Sequence, residues 1–167
     1  MKKITAFLTV LFVIFCLPSC AKQDMPSCRD ILGEIMTSEI GLPAGRVYSS
    51  GAIEGNEEYL PDSLINALYG NGSRPVMADG WLDLAVFLPS SSHPCELAVF
   101  LCDSEDTATD TARMLLRRLD ILRTAKVNGE LGVYFDTATV TVMRNYVIFL
   151  ISSDTENALK IASGVIR

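Results

Sequence analysis

The sequence predicts an α+β domain: two ββα units forming a four-stranded antiparallel sheet, with helices packed on it and two N-terminal helices ahead of it. Three observations predict this. Apolar runs at residues 82–88, 96–102, 139–144 and 146–152 have the length of strands and are bounded by turn residues. After each pair of runs comes a capping signal and a stretch with apolar residues at helical spacing. Finally, Leu97-Ala98-Val99-Phe100-Leu101-Cys102-Asp103 echoes Val147-Ile148-Phe149-Leu150-Ile151-Ser152-Ser153, so the pattern reads as a repeat.

In chain order, Ser27 to Asp30 gives an N-cap signal, and Ile31, Ile35 and Met36 continue a helix to about Ile40, where Gly41 and Pro43 stop it. Pro61 opens a shorter helix through Leu64, Ile65 and Leu68 that ends at Gly70. Residues 46–59 and 71–80 are rich in Gly, Ser, Asn and Glu and read as loops. Ser90 to Pro94 turns the first hairpin. A long helix from Glu105 to Arg123 then places Ala108, Ala112, Leu115, Leu119 and Leu122 on one face. Arg144-Asn145 turns the second hairpin, and Ser153 to Glu156 cap a last helix to about Ile166.

Polarity suggests the strand order. Glu96 to Cys102 and Tyr146 to Ser152 are apolar at almost every position, as strands covered on both faces should be, whereas Asp83, Thr139, Thr141 and Arg144 interrupt their neighbours. The predicted order is therefore 1-2-4-3. The helices from Glu105 and Thr155 should cover one face and the segment from Cys28 to Gly70 the other. A face left bare would be an apolar partner-binding surface.

The N-terminus carries an address. Lys2 and Lys3, the apolar run Ile4 to Leu17 and then Leu17-Pro18-Ser19-Cys20 form a bacterial lipoprotein signal over residues 1–19. A spanning helix needs about 20 apolar residues, and this run is shorter and is broken by Pro18. Cys16 follows the bulky Phe15, so Cys20 is the acceptor of a thioether-linked diacylglycerol, and two acyl chains anchor a protein stably. Residues 20–27 are a lipidated cysteine and short tether, and residues 28–167 a single domain on the extracytoplasmic face of the cell membrane. The chain beyond the signal is about 150 residues long, the size of one compact unit.

The net charge of −6 argues against nucleic acid or anionic headgroups as the main partner. Cys28, Cys95 and Cys102 remain after lipidation. Cys95 and Cys102 lie about 20 Å or more apart if they share one strand, too far to bridge. Cys28 could pair with either, but buried free thiols are the preferred reading.

Leu68-Tyr69-Gly70, Glu96-Leu97-Ala98-Val99-Phe100, the Arg-bearing helix after them and Asn145-Tyr146-Val147 resemble a family of small lipoproteins from Gram-positive anaerobes that carry a domain of unknown function. The resemblance spans Cys28 to Arg167. It implies this fold and an envelope location, and it transfers no catalytic residue.

No catalytic residue, cofactor or metal ligand is assigned from the sequence. His93, the single histidine, lies in Ser90-Ser91-Ser92-His93-Pro94-Cys95 beside possible nucleophiles, so a hydrolase using His93 with a nearby serine or Cys95 is the alternative function. There is no G-x-S-x-G elbow, and a solvated turn residue is the preferred reading of His93. Gly70-Asn71-Gly72-Ser73-Arg74 lacks the lysine of a phosphate loop. Glu54, Glu57, Glu58 and Asp62 lack the alternating ligands of a calcium loop and are read as complementing a helix dipole. Arg113, Arg117, Arg118, Arg123 and Lys126 are the one basic concentration in an acidic chain, a candidate surface for another envelope protein or an acidic ligand. The sheet face and the loop 71–80 are the other candidate binding surfaces. The expected role is non-catalytic binding at the cell envelope.

Overall fold

The computed structural model describes residues 25–70, 79–125 and 132–167. Cys20, Lys126 and all of the 70–74 segment except Gly70 lie outside the described residues. Within them the chain runs α1 (Cys28–Thr37), β1 (Gly45–Ser49), α2 (Asp62–Tyr69), β2 (Trp81–Pro89), β3 (Glu96–Cys102), α3 (Glu105–Ala125), α4 (Val133–Asp136), β4 (Thr139–Met143), β5 (Tyr146–Ile151) and α5 (Thr155–Val165).

The sheet is antiparallel with five strands in the order β1-β2-β3-β5-β4. The four-strand expectation is corrected by β1, which pairs Gly45 to Ser49 against Pro89 to Ala85 at the β2 edge. Gly45 and Arg46 are exposed there and Val47 and Ser49 buried. A five-residue edge strand beginning with Gly-Arg has no long apolar run to announce it. The glycine is required by close approach: a Cβ at position 45 would lie 2.3 Å from the Phe87 ring. Every residue of β3 and β5 is buried, as central strands demand.

The two long helices correct a second expectation, because they cover opposite faces. Ala85, Phe87, Leu97, Val99, Ile148 and Leu150 form one core with Ile31, Leu32 and Ile35 of α1 and Ala158 and Ala162 of α5. Leu84, Val86, Phe100, Val147, Phe149 and Ile151 form the other with Leu115 and Leu119 of α3 and Tyr69 of α2. The register explains it: Leu97 pairs with Leu150 and Phe100 with Val147, so residues equated by the repeat, Leu97 with Val147, point to opposite faces. The repeat is one of pattern and not of symmetry. Among the described residues, both faces of the central strands β3 and β5 are covered.

Local chemistry fixes the element ends. Ser27 Oγ accepts the Asp30 N–H at 3.1 Å and caps α1, which ends at Thr37 rather than near Ile40. Asp154 caps α5 through the Asn157 N–H at 3.1 Å. A register shift between Trp81 and Asp83 turns the Asp83 carboxylate toward α1. It accepts the Cys28 N–H and the Ser50 hydroxyl, each at 2.7 Å, and the Leu84 N–H at 2.8 Å. One side chain thus ties α1, β2 and the end of β1 together.

Candidate functional site

The basic cluster read from the sequence divides in two. Arg118 points inward from α3 to Glu96, the first residue of β3. Its Nε lies 2.9 and 3.2 Å from the two carboxylate oxygens and its Nη2 2.6 Å from one of them. Nη1 donates to the Leu68 carbonyl at 2.5 Å, and the guanidinium stacks over the Tyr69 ring at 5.4 Å. Tyr69 Oη donates to Glu96 at 3.3 Å. The Arg118 side chain is 17% exposed and that of Glu96 5%. A carboxylate buried this far needs such partners, because desolvating a charge costs several kcal/mol unless it is paired and hydrogen-bonded.

Burial works to lower the Arg118 pKa, but the hydrogen bonds and charge of Glu96 outweigh it and leave it raised. The Tyr69 hydroxyl is pushed well above its ordinary range by burial and then by the Glu96 charge. An edge-to-face set of Tyr69, Trp81 and Phe100, with ring centroids 4.8 to 6.4 Å apart, completes this interior. The C-terminal end of α2, the strand β3 and the helix α3 meet here.

Arg123 is also occupied, donating to the Phe135 carbonyl at 2.9 Å through Nη2 and lying 3.8 Å from Asp120. Arg113 pairs with Asp110 on the exposed side of α3. Arg117 is exposed. The outer side of α3 therefore presents Arg113 and Arg117, and between and beyond them Leu116 and Ile121 are 48% and 69% exposed. Large apolar side chains this open beside arginines give the described surface an amphipathic strip along the helix.

His93 is not the solvated turn residue expected. It is half-buried, its ring meets Tyr134 edge to face at 4.8 Å, and its Nδ1 accepts the Cys95 N–H at 3.2 Å. That bond places the proton of the neutral ring on Nε2. Cys95 is 2% exposed, and burial, with the Glu96 charge, pushes its thiol up to about 12. A thiol so placed is not a thiolate at neutral pH, so the pair lacks an activated nucleophile. Cys28, Cys95 and Cys102 are all buried and unpaired.

The acidic cluster before α2 is engaged structurally in part, since Glu58 takes a two-pronged interaction from Arg29, both contacts 2.8 Å. Arg29 holds the Glu58 carboxyl below the usual range. A shallow concavity of about 270 Å³ beside α3 is lined by Asp79, Trp81, Asp106, Thr107 and Asp110. Among the described residues no group of three or more His, Cys, Asp or Glu is arranged to hold a metal ion. Nor is any described helix long and apolar enough to cross a membrane.

Comparison of the chain with protein-family models, curated proteins and solved structures finds no match.

Proposed function

We propose that this protein is a membrane-anchored extracytoplasmic lipoprotein, held by diacylglycerol on Cys20, whose domain binds another envelope protein or an acidic ligand without catalysis. The similarity to the small lipoproteins of Gram-positive anaerobes belongs to the same proposal. The observation that carries the binding reading is the outer strip of α3, where Leu116 and Ile121 stay exposed beside Arg113 and Arg117. Arg118 supports the strip from within, whereas Arg123 stays exposed at its end while bonded to the Phe135 carbonyl. The alternative, a hydrolase using His93 with a nearby serine or Cys95, is less favoured because His93 Nδ1 accepts the Cys95 backbone N–H and burial keeps the Cys95 thiol protonated.

Three experiments test the anchor, the strip and the alternative. Cys20→Ala should remove acyl label and release the chain from the membrane fraction; a variant without label that stayed fully in that fraction would contradict the anchor. In intact cells, Arg113→Glu with Arg117→Glu should abolish the partner captured by crosslinking. An unchanged captured set would contradict the α3 strip, and loss of a measurable hydrolysis in His93→Ala would restore the alternative.

A further inference from the structure

The N-terminal segment joins the fold at a concavity of about 240 Å³ at the β4–β5 hairpin end of the sheet, lined chiefly by Met25, Pro26, Arg144, Tyr146, Ile166 and Arg167. Its described lining holds two arginines and no carboxylate side chain, in a chain of net charge −6. Tyr146 Oη donates to the Pro26 carbonyl at 2.7 Å, which fixes the point where the chain leaves the fold. Met25 stays 56% exposed beside it.

Arg144 occupies this place against its backbone preference. Its φ is 54°, a left-handed conformation that glycine and asparagine adopt readily and arginine does not. Asparagine is its neighbour in the same two-residue turn. Arg144 Nη1 donates to the Arg167 main-chain oxygen at 3.0 Å, which keeps the guanidinium at the concavity. A strained residue whose side chain is exposed and charged points to a role for that side chain.

We propose that this concavity docks the headgroup of an anionic phospholipid of the membrane in which the chain is anchored, with Arg144 as the principal cation. The proposal rests on the anchoring reading above and gives it an orientation. From Cys20 to Met25 the chain can reach about 18 Å at most, and the headgroup layer is about 5–8 Å deep. The concavity is thus kept within a short distance of the lipid phosphates, and charge complementarity draws it onto them. Asp79 and Asp106 lie at the same end of the sheet on the α3 side. Their repulsion from anionic lipid tips the domain onto its Arg144 side.

The orientation has a consequence for the α3 strip. Tyr146 pairs with Leu101 near one end of β3, and Ile151 with Glu96 at the other. A strand of this length spans about 20 Å. Since Arg118 reaches Glu96, the part of α3 that bears Arg117 and Ile121 is held at the end away from the bilayer, open to partners.

Arginine footprinting with phenylglyoxal tests this on the full chain reconstituted in vesicles of phosphatidylcholine, with or without an equal share of phosphatidylglycerol. Arg117 serves as internal reference, and mass spectrometry reads both sites together with the diacylglycerol on Cys20. Phosphatidylglycerol should slow modification of Arg144 about fivefold relative to Arg117. Equal ratios in the two vesicles would overturn the proposal, as would protection of Arg117 in place of Arg144. Protection of Arg144 without lipid on Cys20 would uphold the docking site and refute the anchor. Lipid on Cys20 without protection would do the reverse, and a chain that does not associate with either vesicle would refute both.

Discussion

Arg117 and Arg118 are neighbours in sequence, and the rotation of about 100° per helical residue separates their fates. Arg118 turns into the interior against Glu96, Leu68 and Tyr69, and Arg117 turns to solvent beside Leu116 and Ile121. The same residue type, one step apart, serves structure on one side of α3 and is offered outward on the other. Basic residues close in sequence therefore define a surface only after the helical phase has been assigned. In α3 the apolar residues Ala108, Leu115, Leu119 and Leu122 set that phase.

The contrast can be broken most forcefully from the inside. Arg118→Met should destabilise the domain by about 3–5 kcal/mol, because it strands the Glu96 carboxylate without its partner. The urea midpoint reads this, and adding Glu96→Gln should restore part of the loss. Next in size is Asp83→Ala, which removes acceptors from the Cys28 N–H, the Ser50 hydroxyl and the Leu84 N–H and should cost about 1–3 kcal/mol in the same assay. Thiol labelling gives a further check on the interior. Cys28, Cys95 and Cys102 should react with a thiol reagent at neutral pH only after unfolding, since burial raises all three pKa values.

Surface changes should be smaller. The Glu58 carboxyl, lowered by Arg29 in the folded state, contributes stability that is present above its unfolded pKa and lost as pH falls through the folded value. Both partners are more than a third exposed, so the loss below about pH 4.5 should be at most about 0.5 kcal/mol and absent from Glu58→Gln. Arg113→Ala should have the least effect, within about 0.5 kcal/mol, because its pair with Asp110 is exposed to solvent. A large loss there would mean that the outer side of α3 is structural as well.

The strands of the two hairpins and the helices after them could be read from local patterns. Continuous apolar runs marked β3 and β5, and Ser27 and Asp154 marked helix starts. β1 was hidden because Gly45-Arg46-Val47-Tyr48-Ser49 has neither a long apolar run nor a clear alternation. The covering of the two faces was hidden because it depends on register, where a shift of one residue reverses every side chain.

The Glu96–Arg118 pair does leave a signal in the sequence. A carboxylate opening an otherwise apolar central strand requires a cation on the helix above it. Arg118 stands three residues after Leu115 and four before Leu122, on the border of the buried stripe. The burial of His93 against Tyr134 had no such signal, since α4 comes from a part of the chain with no legible periodicity.

Position-resolved photocrosslinking in intact cells tests the central claim most directly, with a photoreactive residue placed in turn at Ile121 on the outer side of α3 and at Ile53, which is 79% exposed on a loop elsewhere. The α3 strip predicts a discrete adduct from position 121 that is lost with Arg117→Glu, and none from position 53. Adducts from position 53 alone, or an adduct from 121 indifferent to Arg117→Glu, would contradict it.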